Sequence, residues 1–141
     1  MGKLSLIHVQ SAIRTLLLAD GTLCALLAST TAIYDGVPDD AAYPYIAFGE
    51  KHTEPWDTFS GDANDDRIML YVWSQAKGDL EALTIASRVN DLLHGSTLDL
   101  ASAGFRMVPS SLQLEMLDTM REPDGRTRKA MMRFKLQAEE V

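Results

Sequence analysis

The chain has 141 residues, 46% of them hydrophobic, a single cysteine and a formal net charge of −7, which fits one ordinary domain that buries most of the surface its unfolded form exposes. The acidic balance argues against free nucleic acid as a general ligand, because phosphate binding draws on clustered Lys and Arg, and Cys24 alone cannot form an internal disulfide. Apolar runs such as Ile68–Trp73 fall far short of the roughly 20 residues that cross a bilayer, and the opening MGKLSLIHVQ has neither a continuous signal-peptide core nor a small-residue cleavage site, so a cytoplasmic product without membrane contact is expected.

Residues 5–19 carry Leu6, Val9, Ile13, Leu16 and Leu17 at spacings of three and four, which predicts a helix with one apolar stripe lying on a sheet. Asp20-Gly21 breaks this pattern and can cap a second short helical turn over 22–28. Ala32 to Tyr34 is long enough only for an edge strand, and Asp35-Gly36-Val37-Pro38-Asp39-Asp40 is turn chemistry, with Gly allowing positive φ and Pro fixing its own φ. YPYIAFGE, residues 43–50, alternates and predicts a half-buried strand with Ile46 and Phe48 inward; Pro44, which lacks a backbone donor, suits its first position.

Residues 51–65 show no sustained periodicity and read as a long acidic loop, a length at which loops are often functional. Trp56 and Phe59 stand out in it, either pinning the loop to its own domain or anchoring a partner. The chain's organising unit follows. Asp66 to Ser74 has apolar residues on both faces and predicts a central strand. Leu80 to Leu93 predicts a helix with Leu80, Leu83, Ala86, Val89, Leu92 and Leu93 buried, capped by Gly78 or Asp79 and ended by Gly95. Its fourteen residues span about 21 Å, which matches the strand before it.

Residues 104–108 and 112–117 read as extended, with Leu112, Leu114 and Met116 on one face and a bend or bulge at Pro109-Ser110-Ser111. Glu122-Pro123-Asp124-Gly125 is a turn, and residues 129–138 alternate Ala130, Met132, Phe134 and Leu136 against Lys129, Met131, Arg133, Lys135 and Gln137. The last two elements should therefore form an antiparallel hairpin. Together these elements predict a single α+β domain: an antiparallel or mixed sheet of about four to five strands with two main helices packed on one face.

Charge is unevenly placed along this framework. Residues 50–66 contain Glu50, Glu54, Asp57, Asp62, Asp65 and Asp66 against Lys51, a net of −5. Residues 121–135 contain six bases against Glu122 and Asp124, a net of +4.

No motif carries a reaction. His8, His52 and His94 fall on three elements without ligand spacing. Asp62-Ala63-Asn64-Asp65-Asp66 opens like a calcium loop but has Arg67 where such a loop needs Gly and Trp73 where it needs a bidentate Glu. There is no nucleophile elbow and no phosphate-cradling glycine loop, and Cys24 among Leu23, Ala25, Leu26 and Leu27 reads as a core residue. Neither an enzyme nor a cofactor is expected.

Ala32-Ile33-Tyr34-Asp35-Gly36-Val37-Pro38, Ala42-Tyr43-Pro44-Tyr45-Ile46, Val72-Trp73-Ser74 with Gly78 and Glu81-Ala82, and the later Asp124-Gly125-Arg126-Thr127 before Arg133-Phe134 resemble, in this order, the tail terminator (tail completion) proteins of siphophages and gene transfer agents. The resemblance implies a non-catalytic virion protein, assembled in the host cytoplasm, that forms a homo-hexameric ring at the head-proximal end of the tail tube. Its partners would be itself, the tail tube protein and a head-completion or connector protein, with DNA only passing through the channel. A ring needs one patch to meet a different patch on the next copy. That role is expected of Glu54, Trp56, Asp57, Phe59, Asp62, Asp65 and Asp66 on the acidic side, and of Arg126, Arg128, Lys129, Met131, Arg133 and Lys135 on the basic side. The alternatives are another ring of the head–tail interface or a small nucleic-acid-binding module using the basic hairpin.

Overall fold

The computed structural model describes residues 3–56 and 61–141. In chain order the elements are α1 (Leu6–Leu18), α2 (Gly21–Leu26), β1 (Ile33–Tyr34), β2 (Tyr45–Pro55), β3 (Ala63–Ser74), α3 (Leu80–Leu93), a 3-10 turn at Ala101–Ala103, β4 (Phe105–Met107), β5 (Gln113–Arg121) and β6 (Arg128–Glu140). The strands form one mixed six-stranded sheet in the order β1-β2-β3-β6-β4, with β5 also paired to β6. This is the expected α+β architecture with a slightly larger sheet. β1 is parallel to β2 at the edge; the other pairings are antiparallel.

β3 and β6 are central and pair along their whole lengths, from Ala63 opposite Glu139 to Ser74 opposite Arg128. Their alternation sorts the sheet into two faces. Ile68, Leu70 and Val72, with Ala130, Met132, Phe134, Leu136 and Ala138, are buried in the core with Val9, Ile13 and Leu17 of α1 and Ile85, Ala86, Val89 and Leu93 of α3. Met69, Tyr71, Trp73, Met131 and Arg133 line the opposite face and stay half-exposed.

The helix bounds follow from their caps. Asp20 accepts the Leu23 amide at 2.8 Å and starts α2, which satisfies a donor that the first turn leaves free. Gly95, at φ 77°, follows the last turn of α3 and donates its amide to the Leu112 carbonyl, a left-handed position that suits glycine. The buried stripe of α3 differs from expectation. It runs through Ala82, Ile85, Ala86, Val89 and Leu93, whereas Leu80 is 80% exposed. Two stripes share Ala86, Val89 and Leu93, and packing against the sheet selects the one with small Ala82 at its contact rather than the one with more leucine.

Two further differences concern β structure. The stretch expected as an acidic loop over 51–65 is strand through Pro55 and again from Ala63; β2 and β3 pair out to Pro55 opposite Asn64, past a bulge between Phe48 and Lys51. Polar residues extend the sheet there because β6 supports β3 on its other edge. In β5 a second bulge between Leu114 and Met116 places Leu114 opposite Phe134 but Met116 opposite Arg133, so Leu114 and Met116 face opposite sides. The bend between β4 and β5, at Ser110 with φ 62°, lets both strands share one edge of β6.

Candidate assembly surface

The two oppositely charged segments lie on adjacent strands. β3 carries Asp65 and Arg67, and β6 carries Gln137 and Lys135 directly opposite them. Much of their charge is matched within one subunit, though by groups on the same strand or on other elements rather than by each other. Arg67 donates from Nη1 to Asp65 at 3.1 Å and from Nε to Glu115 at 3.0 Å. Glu115 occupies the β5 bulge and also lies 3.3 Å from Arg133, so one carboxylate serves two guanidiniums. Arg128 reaches Asp79 at 3.3 Å, and Lys129 lies 3.6 Å from Glu122.

Lys129 also sits over two rings, 5.0 Å from the centroid of Tyr71 and 4.9 Å from that of Trp73, within cation–π range. The sheet register places these groups: Tyr45, Trp73, Lys129 and Met120 form one cross-strand row. Tyr34 and Tyr43 pack on Tyr45. Burial, followed by the neighbouring Tyr43, pushes the Tyr45 phenol up to about 12. Burial and the hydrogen bond to Glu50 do the same for Tyr71. This face is thus an aromatic and methionine surface studded with already paired cations.

Lys135 and Arg126, like Arg121 at the start of the basic segment, differ from Arg128, Lys129 and Arg133: the side chains of Lys135, Arg126 and Arg121 have no hydrogen bond or ion pair among the described residues. Arg126 is exposed at the hairpin turn, beside Asp124. The Asp124 carboxylate is held down to about 2 by the Thr127 hydroxyl, the Thr127 and Arg126 amides and the Arg126 charge; these bonds build the turn itself.

On the acidic side Glu54 accepts a hydrogen bond from His52 at 2.9 Å when that ring nitrogen carries the proton, Trp56 is 37% exposed, and Asp62 is exposed. Asp57 and Phe59 lie outside the described residues. Asp66 is not a surface acid: it is 1% exposed and accepts the Ser5 hydroxyl and the Thr53 hydroxyl, each at 2.6 Å. Its strand position turns it toward α1, which puts it out of a partner's reach. Asn64 and Asp66, the third and fifth positions of the calcium-loop opening, lie on an extended strand with their polar atoms engaged by Lys3, Ser5 and Thr53, so that opening does not wrap an ion.

Burial raises the Asp66 pKa against the opposing effect of its two hydroxyl donors. A carboxyl with a raised folded-state pKa adds stability while it stays protonated, and that contribution is lost as pH rises from the ordinary aspartate value of about 3.9 through the folded value. Asp66→Asn removes this titration. In urea unfolding, the variant's stability relative to the parent should therefore climb across that window. A difference constant with pH would show that Asp66 does not titrate differently on folding.

Sequence reasoning missed Glu115 and the aromatic row. Glu115 sits at a bulge that alternation does not reveal, and the row exists only once β2, β3, β6 and β5 are aligned.

Residues 11–137 match a family described as tail completion protein gp17. A chain from a solved structure described as the virion of a native gene transfer agent particle has the same fold, with a TM-score of 0.81 at 28% identity, covering 93% of this chain and 94% of that chain. No curated protein matches.

Proposed function

We propose that this chain, which belongs to the tail completion protein gp17 family, forms a ring that caps the head-proximal end of a phage-type tail tube. As a structural component of the virion tail it ends tube polymerisation and offers the surface to which a filled head is joined. The ring is a homo-hexamer; its partners are the tail tube protein and a head-completion or connector protein, and DNA passes through its channel. The observation that carries this reading is the match over nearly the whole chain, joined to the fold shared with a chain of a gene transfer agent virion.

The charge pattern supports a definite form of contact. Arg128, Lys129 and Arg133 are engaged within the subunit, which leaves Lys135 and Arg126 to meet acids such as Glu54 and Asp62 of a neighbouring copy or of the tube. Met131, half-exposed between Lys129 and Arg133 on the same strand face, adds apolar contact. The same pairing weakens the nucleic-acid reading, since paired bases contribute little to phosphate binding.

The test is a Lys135→Glu/Arg126→Glu double variant mixed with tail tube protein and imaged by negative stain. Substitutions away from buried partners shift stability by about 0.5 kcal/mol or less each, so the fold should survive while rings and capped tubes disappear. Capped tubes in parental yield would sink the contact, and parental protein that never forms six-fold rings on tubes would sink the ring.

A further inference from the structure

The outer half of the β2–β3 hairpin is attached to α1 by polar groups rather than by an apolar core. Beyond the bulge at Phe48/Lys51, the residues that turn toward the helix layer are Thr53, Asn64 and Asp66. Facing them is Ser5, the residue that precedes α1, which is 0% exposed. Asp66 accepts both the Ser5 and Thr53 hydroxyls. The Asn64 amide nitrogen donates to the Lys3 carbonyl at 2.9 Å and to the Ser5 Oγ at 3.1 Å. The α1 backbone continues from the same point, since the His8 and Val9 amides both donate to the Ser5 carbonyl.

We propose that Ser5, Thr53, Asn64 and Asp66 form a latch that fixes the direction of the β2–β3 arm against the start of α1. An apolar contact would hold these parts together with little directional preference. Hydrogen bonds to a buried carboxylate hold only in one geometry, and a buried network with unmatched members is strongly disfavoured. β6 holds the β3 side of the arm in the sheet and the bulge bends β2 immediately before it; the polar contact adds to this a fixed angle between the arm and α1. The arm carries Glu54, Trp56 and Asp62, and a fixed direction presents them at a constant angle. The latch is thus a positioning device; its use in assembly rests on the ring reading given above.

The deciding variant is Ser5→Ala/Thr53→Val/Asp66→Leu, which removes both hydroxyl donors together with the carboxylate and leaves Asn64 its bond to the Lys3 carbonyl, so that the polar contact becomes apolar with no orphaned hydroxyl. Its thermal midpoint should equal or exceed that of the parent, because apolar replacement of a buried charged network is often neutral or stabilising. Hydrogen exchange of the amides of residues 51–55 and 64–66 should become about tenfold faster or more, as expected for the loss of charge-assisted bonds, while residues 68–72 keep their protection. Ser5→Ala, a smaller change, should speed the same amides to a lesser degree. Unchanged exchange across the arm in both variants overturns the latch whatever happens to assembly. Faster exchange with rings formed in full yield keeps the latch and instead removes the arm from the ring contact.

Discussion

Phe134→Ala is expected to destabilise the protein by about 3–5 kcal/mol, the range for truncating a buried phenylalanine. Phe134 is fully buried, lies between Ile68 on β3 and Leu114 on β5, and projects into the layer between sheet and helices. Its neighbour Ile68 belongs to a strand paired on both sides, so on that side the space collapses little and the removed ring leaves a cavity. A loss of this size is a large share of the 5–15 kcal/mol that holds a typical domain, and the variant should be partly unfolded at physiological temperature. Urea unfolding followed by circular dichroism should show a lower midpoint with an unchanged slope. Phe134→Leu should lose less than half as much. A Phe134→Ala loss below about 1 kcal/mol would mean that the layer repacks freely.

Gly49→Ala should cost about 1–3 kcal/mol, as overpacking typically does, although alanine is otherwise the mildest substitution for glycine. A Cβ at Gly49 would lie 2.5 Å from Tyr71 Cε2, 2.7 Å from Tyr71 Cζ and 3.1 Å from Met69 Cβ. The Tyr71 ring would have to move, and in moving it would give up both its hydrogen bond to Glu50 and the Lys129 ammonium over its face. The glycine is therefore required by the ring lying across it rather than by its backbone angles. The effect should be strongly non-additive. In a Tyr71→Ala background the same Gly49→Ala change should be close to neutral, and the double-mutant cycle should give a coupling of about 1 kcal/mol or more. Additive losses would place the strain elsewhere.

The parts of the fold legible in the sequence are those where local pattern and tertiary environment agree. Alternation over residues 129–138 marks β6 because one of its faces is buried and the other half-exposed. Asp20-Gly21 reveals the break between α1 and α2 because the Asp20 side chain performs the capping itself. The outer hairpin was hidden for the opposite reason: Thr53, Asn64 and Asp66 turn inward to meet Ser5, so the inward positions are polar and apolar alternation vanishes. The α3 face was ambiguous because leucine count and packing space favour different stripes. As for the site, sequence separated the acidic and basic segments correctly but could not show that β3 and β6 are neighbours. Asp79, Glu122 and Glu115, none of them in the acidic segment, engage Arg128, Lys129 and Arg133 within the subunit and so single out Lys135 and Arg126 of the expected set.

The pairing of β3 with β6 also governs the order in which the chain can settle during synthesis. β3 leaves the ribosome with β2 ready beside it, but Ser74 waits for Arg128 and Ala63 for Glu139. In that interval the edge meant for β6 is open and Ile68, Leu70 and Val72 are only partly covered, the condition in which strands of separate chains pair with one another. Closure over so long a separation also slows folding. α3, made directly after β3 and in contact with it, is the first element able to shield that surface, so a nascent chain lacking a stable α3 should aggregate before its sheet is complete.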